Sequence, residues 1–328
     1  MTNWSTSALV FPGQGSQVVG MGADIAAAFP VAAQTFAEAG EILGFDLAQL
    51  CFTGPEAELN DTINTQPALY VMGVALLRVL QAERPDAVPA LVAGHSLGEL
   101  TALTAAGSLA FQDGVRLVRT RGLLMSEAGR RNPGAMAALL GLDAGKAREV
   151  CKQASLETGR SLVLANDNCP GQLVISGEDP ALDLGMELAK AAGAKRAIKL
   201  AVSIAAHSPL MASASAEFRQ AVAATPIKLP AIPIIGNVSA SRLESAEAIR
   251  TELDQQLTQS VRWTESIQAI RDAGVTHFFE LGSKDVLSGL IKRIDREAVA
   301  TSIDSLDALR ALIDGTGAWN NRKGLSSQ

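Results

Sequence analysis

A serine set between glycines, Gly94-His95-Ser96-Leu97-Gly98, follows the apolar run 87–93 and precedes a helix-compatible stretch from Glu99 onward. At a strand-to-helix turn this pattern exposes a nucleophilic oxygen. The glycines permit the sharp turn, and the helix N-terminus favours developing negative charge. The chemistry it points to runs through an acyl-serine. The same five letters occur in idle loops of glycine-rich chains, so the strand before and the helix after carry the reading. A serine hydroxyl is a weak nucleophile until a base takes its proton, and the chain has three histidines: His95, His207 and His277. His95 adjoins the serine, so its ring projects away from it. His277 lies in an alternating strand pattern, as a structural histidine does. His207 sits just past a strand, in the segment 202–209, and is the candidate base by elimination.

Arg121 is the most informative cation. Its helical neighbours Leu117, Val118, Leu124 and Met125 are all apolar, which turns the guanidinium inward. A buried arginine needs an anion. Two readings are open: an internal ion pair with an Asp or Glu, or a bidentate receptor for a substrate carboxylate. Arg116, among Gln112, Asp113, Arg119 and Thr120, reads as solvated. The loop Gly13-Gln14-Gly15-Ser16-Gln17-Val18 nearly matches a dinucleotide fingerprint, but Val18 stands at the third glycine position. A loop there is better suited to offering backbone N–H groups to an oxyanion.

The elements that must position these groups alternate. Residues 8–11 read as a buried strand ending at Pro12-Gly13, residues 62–83 as a helix and 87–93 as a strand. Alanine-rich helices follow the serine turn to about Glu127. From Gly134 the order becomes strand, helix, strand, strand, helix, strand, with strands over 134–141, 161–165, 172–176 and 196–202 and a turn at 168–171. That is the split arrangement of a ferredoxin-like unit. Alternation resumes with a helix over 210–223, a strand at 232–236, helices near 245–257 and 264–273, and a strand at 276–281. The expected class is α/β: a large α/β-hydrolase-like subdomain with a mostly parallel sheet over 1–129 and 199–314, an inserted ferredoxin-like subdomain over 130–198, and a loose tail over 315–328.

Composition bounds the partners. With 328 residues, 48% of them hydrophobic, the chain has ample material for a large core. A net charge of −6 argues against a general nucleic-acid binder, and 4% aromatics leaves little for base stacking. Cys51, Cys151 and Cys169 are far apart and lack ligand spacing, so neither a disulfide framework nor a metal site is expected, and a reducing cytoplasm fits. The first residues carry no basic region of a signal peptide, and no apolar run reads as long enough to span a bilayer, so no membrane association is expected.

Several blocks in order resemble one family. They are Phe11-Pro12-Gly13-Gln14-Gly15-Ser16-Gln17, Gly94-His95-Ser96-Leu97-Gly98-Glu99, Arg121-Gly122 with Met125, Gly134-Ala135-Met136-Ala137, Asn168-Cys169-Pro170-Gly171-Gln172, Val202-Ser203 leading to His207, and Gly282 with Leu290. Over about 8–295 the chain resembles the malonyl-CoA:acyl carrier protein transacylases. That resemblance implies Ser96 as the acylated nucleophile, His207 as base and acid, and the N–H groups of Gln14 and Leu97 as the oxyanion hole. It further implies Arg121 as the clamp on the malonyl carboxylate, a backbone carbonyl of Gln256 orienting the histidine, and Asn168 lining the site. The implied partners are malonyl-CoA, as substrate with no other cofactor, and acyl carrier protein. Ala206 departs from the Ser or Phe frequent in the family at that position, which opens the site to branched malonyl units. Lys190, Lys195, Arg196 and Lys199 are candidates to meet an acidic carrier protein, or simply a solvated edge.

Other readings stay open. A serine hydrolase or thioesterase would place an acid between serine and histidine in sequence, and Asp167, Asp179 and Asp183 all lie there. A trans-acting polyketide acyltransferase of broader selectivity, or a catalytically idle carrier-binding module, would carry the same blocks.

Overall fold

The computed structural model describes residues 2–202 and 204–317. Its strands are β1 (Ser7–Phe11), β2 (Leu91–Gly94), β3 (Ala135–Leu140), β4 (Leu162–Cys169), β5 (Gln172–Gly177), β6 (Arg196–Lys199), β7 (Ile234–Ile235), β8 (His277–Leu281) and β9 (Val299–Ile303). They make two sheets, ordered β7-β2-β1-β8-β9 and β4-β5-β3-β6. Two compact units divide the described chain. One holds residues through Arg119, Pro230–Ile234 and those from Ile270; the other holds Thr120–Leu229 and Ile235–Ala269.

In the first unit β1 pairs in parallel with β2 and β8, and β8 with β9. Every residue of β1 and β2 is buried, which is why both read as unbroken apolar runs and not as alternating ones. Phe11 is the register partner of Gly94, so the loops leaving these strands start side by side at the carboxyl edge of the sheet, where α/β folds place their ligands. β2 is shorter than the 87–93 run, because Pro89 has no N–H to give a ladder. The 22-residue helix Thr62–Glu83 is long and apolar enough to cross a membrane, contrary to expectation, yet 83% of its apolar window is buried inside the protein. A helix apolar on all sides is what a core position requires. Past the last strand expected from sequence, the chain adds the helix Val286–Ile294, β9 and the helix Leu306–Asp314.

The second unit is framed by the antiparallel sheet with helices Ala144–Thr158 and Asp179–Ala191, the expected β-α-β-β-α-β order. Leu139, Leu164, Ile175 and Leu182 lie in the core between sheet and helices. Asp143 caps the first of these helices, accepting the Lys146 N–H at 2.9 Å. β4 runs on to Cys169, so the turn is only Pro170-Gly171, with Gly171 at φ 74°. The unit extends beyond residues 130–198 because Val261 bonds onto the edge of β4: its N–H reaches Ala165 O and its carbonyl takes the Asp167 N–H, both at 2.9 Å. Of the tail assigned to 315–328, residues 318–328 lie outside the described residues.

All three cysteines are buried and in no disulfide, and burial pushes the thiols of Cys51 and Cys151 up to about 12. Thiolate is therefore scarce at pH 8. Iodoacetamide at that pH should leave Cys51 and Cys151 unmodified in the folded protein and label both in urea, as read by peptide mass mapping.

Candidate active site

The serine turn follows from backbone crowding. Only three residues separate the end of β2 from the start of the helix Gly98–Ala105. A Cβ on Gly94 would lie 1.9 Å from Gly98 O, and one on Gly98 would lie 2.0 Å from Phe11 O. Only glycine fits at either place. Ser96 takes φ 52°, the left-handed region that non-glycine residues seldom occupy. Such strain persists where the surrounding structure over-determines it, and it lifts the side chain out at the head of the helix. Ser96 is half-buried and Leu97 fully so. The His95 N–H donates to Phe11 O at 3.0 Å and the Gly98 N–H to His95 O at 2.9 Å.

Against this turn lies the loop that follows β1. A Cβ on Gly13 would meet His95 O at 2.6 Å, so the loop backbone touches the serine turn directly. Gln14 is exposed, and its side-chain Nε2 donates to Thr62 Oγ1 at 3.0 Å.

The second unit holds His207 and Arg121 together. His207, 3% exposed, also has a left-handed backbone, φ 56°. Its Nδ1 lies 2.8 Å from Gln256 O. A carbonyl only accepts, so Nδ1 carries the proton and Nε2 is the nitrogen that can accept one. Gln256 is the last residue of the helix Ala246–Gln256. Carbonyls of a final helical turn lack intrahelical donors and carry the negative end of the helix dipole. That end favours the imidazolium formed when His207 takes a proton. Arg121, 1% exposed, donates from Nε and Nη2 to Gln256 Oε1 at 3.2 and 2.9 Å. One residue therefore ties the imidazole through its backbone and the guanidinium through its side chain. Arg121 and Gln256 are 135 positions apart, so no local pattern could reveal the side-chain link.

The model of the acyl transferase domain matches residues 8–309. This chain belongs to that family. The acyl transferase is 44% identical to the malonyl CoA-acyl carrier protein transacylase of Escherichia coli K12 over 94% of this chain and 98% of the relative. Its likeness to the Bacillus subtilis protein of the same name is 43%, over 94% and 96%. Among solved structures it is similar to the malonyl-CoA:acyl carrier protein transacylase of Xanthomonas oryzae, with TM-score 0.91, 45% identity, and 96% and 99% of the chains covered. A malonyl-transacylase in complex with a holo type II PKS acyl-carrier protein matches at TM-score 0.91 and 44% identity over 94% and 99%.

In this acyl transferase the acids that a hydrolase triad would need are engaged elsewhere. Asp179 and Asp183 face Lys199 Nζ at 2.6 and 3.8 Å, and Asp167 Oδ1 accepts from Thr264 Oγ1 at 2.7 Å. The same pairs occupy Lys199, one of the four candidate docking cations, while Arg196 stays exposed on β6. Asn168 is buried at a register irregularity of β4 between Asp167 and Cys169, where a bulge re-aims side chains. Ala206 packs against Met136, Ala165 and Val174. Ser203 lies outside the described residues. His277 opens β8, with Nδ1 2.9 Å from Thr276 Oγ1.

Gly98→Ala tests the crowding that shapes the serine turn. Its methyl has only backbone to displace, so urea unfolding should show a loss of about 2 kcal/mol or more, with reactivity of Ser96 lost as well.

Proposed function

We propose that this chain transfers a malonyl group from coenzyme A to the phosphopantetheine thiol of acyl carrier protein through malonyl-Ser96. The observation that carries the reading is the double tie at Gln256: a proton acceptor and a buried guanidinium are fixed by one residue, which suits an acyl group that ends in a carboxylate. The full-length similarity to transacylases of that name supports it.

The steps follow from the groups. Ser96 Oγ attacks the thioester carbonyl while His207 Nε2 takes its proton. The oxyanion accepts from the N–H groups of Gln14 and Leu97, and the Gln256 carbonyl steadies the imidazolium. The tetrahedral intermediate collapses, the C–S bond breaks, and His207 protonates the departing CoA sulfur. The carrier-protein thiol then repeats the sequence in reverse, giving ping-pong kinetics. Arg121 holds the malonyl carboxylate through charge-assisted bonds in both halves. Asn168 and Ala206 line the acyl position in this reading, and the small Ala206 side chain leaves room for a methyl branch. A cytoplasmic location goes with this function, in keeping with three buried thiols that form no disulfide.

Incubation with malonyl-CoA should add one malonyl group per chain by intact mass. Ser96→Ala should add none; a malonylated Ser96→Ala protein would refute the intermediate. Arg121→Ala should lower malonyl labelling relative to acetyl labelling by about 10- to 100-fold, the worth of a charged hydrogen bond. Equal losses for both acyl groups would remove the clamp role.

A further inference from the structure

The oxyanion donor proposed at Gln14 sits on a peptide plane whose other end is Gly13 O. In a trans peptide the N–H and C=O point in opposite directions, so whatever holds the carbonyl aims the N–H. Ser16 holds it. Its hydroxyl, in a residue 1% exposed, donates to Gly13 O at 2.5 Å. Ser16 is held in turn by Ser283, 2% exposed, whose hydroxyl donates to Ser16 O at 2.7 Å from 267 positions away. Its other contact, to Met21 Sδ at 3.5 Å, is looser.

The next residue continues the strap. Lys284 Nζ donates to Gly15 O at 3.1 Å, and Ser302 Oγ donates to Lys284 O. Lys284 has φ 64°, a conformation unfavourable for a lysine and kept only where its surroundings impose it. The fold explains how this segment reaches the loop. β8 is the parallel neighbour of β1, so the chain leaving β8 at Gly282 emerges beside the chain leaving β1 at Pro12. A Cβ on Gly282 would lie 2.4 Å from Pro12 Cγ.

We propose that Ser16 and Ser283 form a hydroxyl relay, backed by Lys284, that fixes the peptide plane carrying the Gln14 N–H, and that these three are positioning residues for the oxyanion donor. The inference rests on the acyl-serine reading and adds residues to which that reading gives no role. Rotating a donor away from a developing oxyanion weakens a bond made in the transition state and barely touches ground-state binding. The signature is therefore a slower rate at saturation with an unchanged half-saturating concentration.

Single-turnover formation of malonyl-Ser96, followed by rapid quench and intact mass, tests it. Ser16→Ala and Ser283→Ala should each lower the saturating rate about tenfold with half-saturation within about twofold, and Ser283→Thr, which keeps the hydroxyl, should recover most of the loss. The double variant should be no slower than the slower single one, because both break one relay. Should either alanine variant fail to fold, Lys284→Met at the exposed end of the strap decides, with a loss of about threefold expected. A saturating rate within twofold of the parent for Ser283→Ala, an equal rise in half-saturation, multiplicative losses in the double variant, or an unaffected Lys284→Met where that variant decides, would each overturn the relay. An unlabelled parent protein would instead sink the acyl-serine reading, and the relay with it.

Discussion

The Gln256 carbonyl accepts the Nδ1 proton of His207 at 2.8 Å while the amide oxygen of the same side chain accepts from Nε and Nη2 of Arg121 at 3.2 and 2.9 Å. All three residues are at least 97% buried. A guanidinium out of water is costly unless its donors are met, and an imidazole serves as a base at one nitrogen only if the other is committed. Both demands fall on the end of one helix. The Nδ1 proton of His207 thus has a backbone acceptor at the negative helix terminus, while Asp167, Asp179 and Asp183 are spent on Thr264 and Lys199.

The Ser96 turn depends on a different constraint, the closeness of backbone to backbone. Two parallel neighbours, β1 and β2, end in register at Phe11 and Gly94. Their loops and the helix after Ser96 pack with no room for a side-chain carbon at Gly94 or Gly98. Left-handed backbone occurs at Ser96 in one unit and His207 in the other. Each is a locally unfavourable choice that the surrounding fold enforces, as is common where reactivity matters.

Most of the frame was legible in the sequence because it follows periodicity. The buried run of β1, the helix 62–83 and the β-α-β-β-α-β order announce themselves within a few residues, whereas β8, read as alternating, is buried from Phe278 to Leu281. What was not legible depends on long-range contact. β7 reduces to Ile234–Ile235 because the residues that decide pairing lie on another strand, and the Val261 bond that enlarges the second unit links positions almost a hundred apart. At the site, the spacing of apolar neighbours around Arg121 correctly turned it inward but left its partner open between an acid and a substrate. The amide of Gln256 was a third possibility that helical spacing does not contain. The Ser16–Ser283 bond was equally invisible, since its two ends lie 267 positions apart and nothing near Ser16 points to Ser283.

The chemistry of the site turns on one tautomer: Gln256 O fixes the His207 proton on Nδ1, which makes Nε2 the nitrogen that accepts the next one. Two-bond and three-bond ¹⁵N–¹H correlation spectra of the imidazoles, with the chain's three histidines assigned by single substitution, read this directly. The spectra should show His207 with a pyrrole-type Nδ1 and a pyridine-type Nε2. The opposite pattern, with the proton on Nε2, would contradict it.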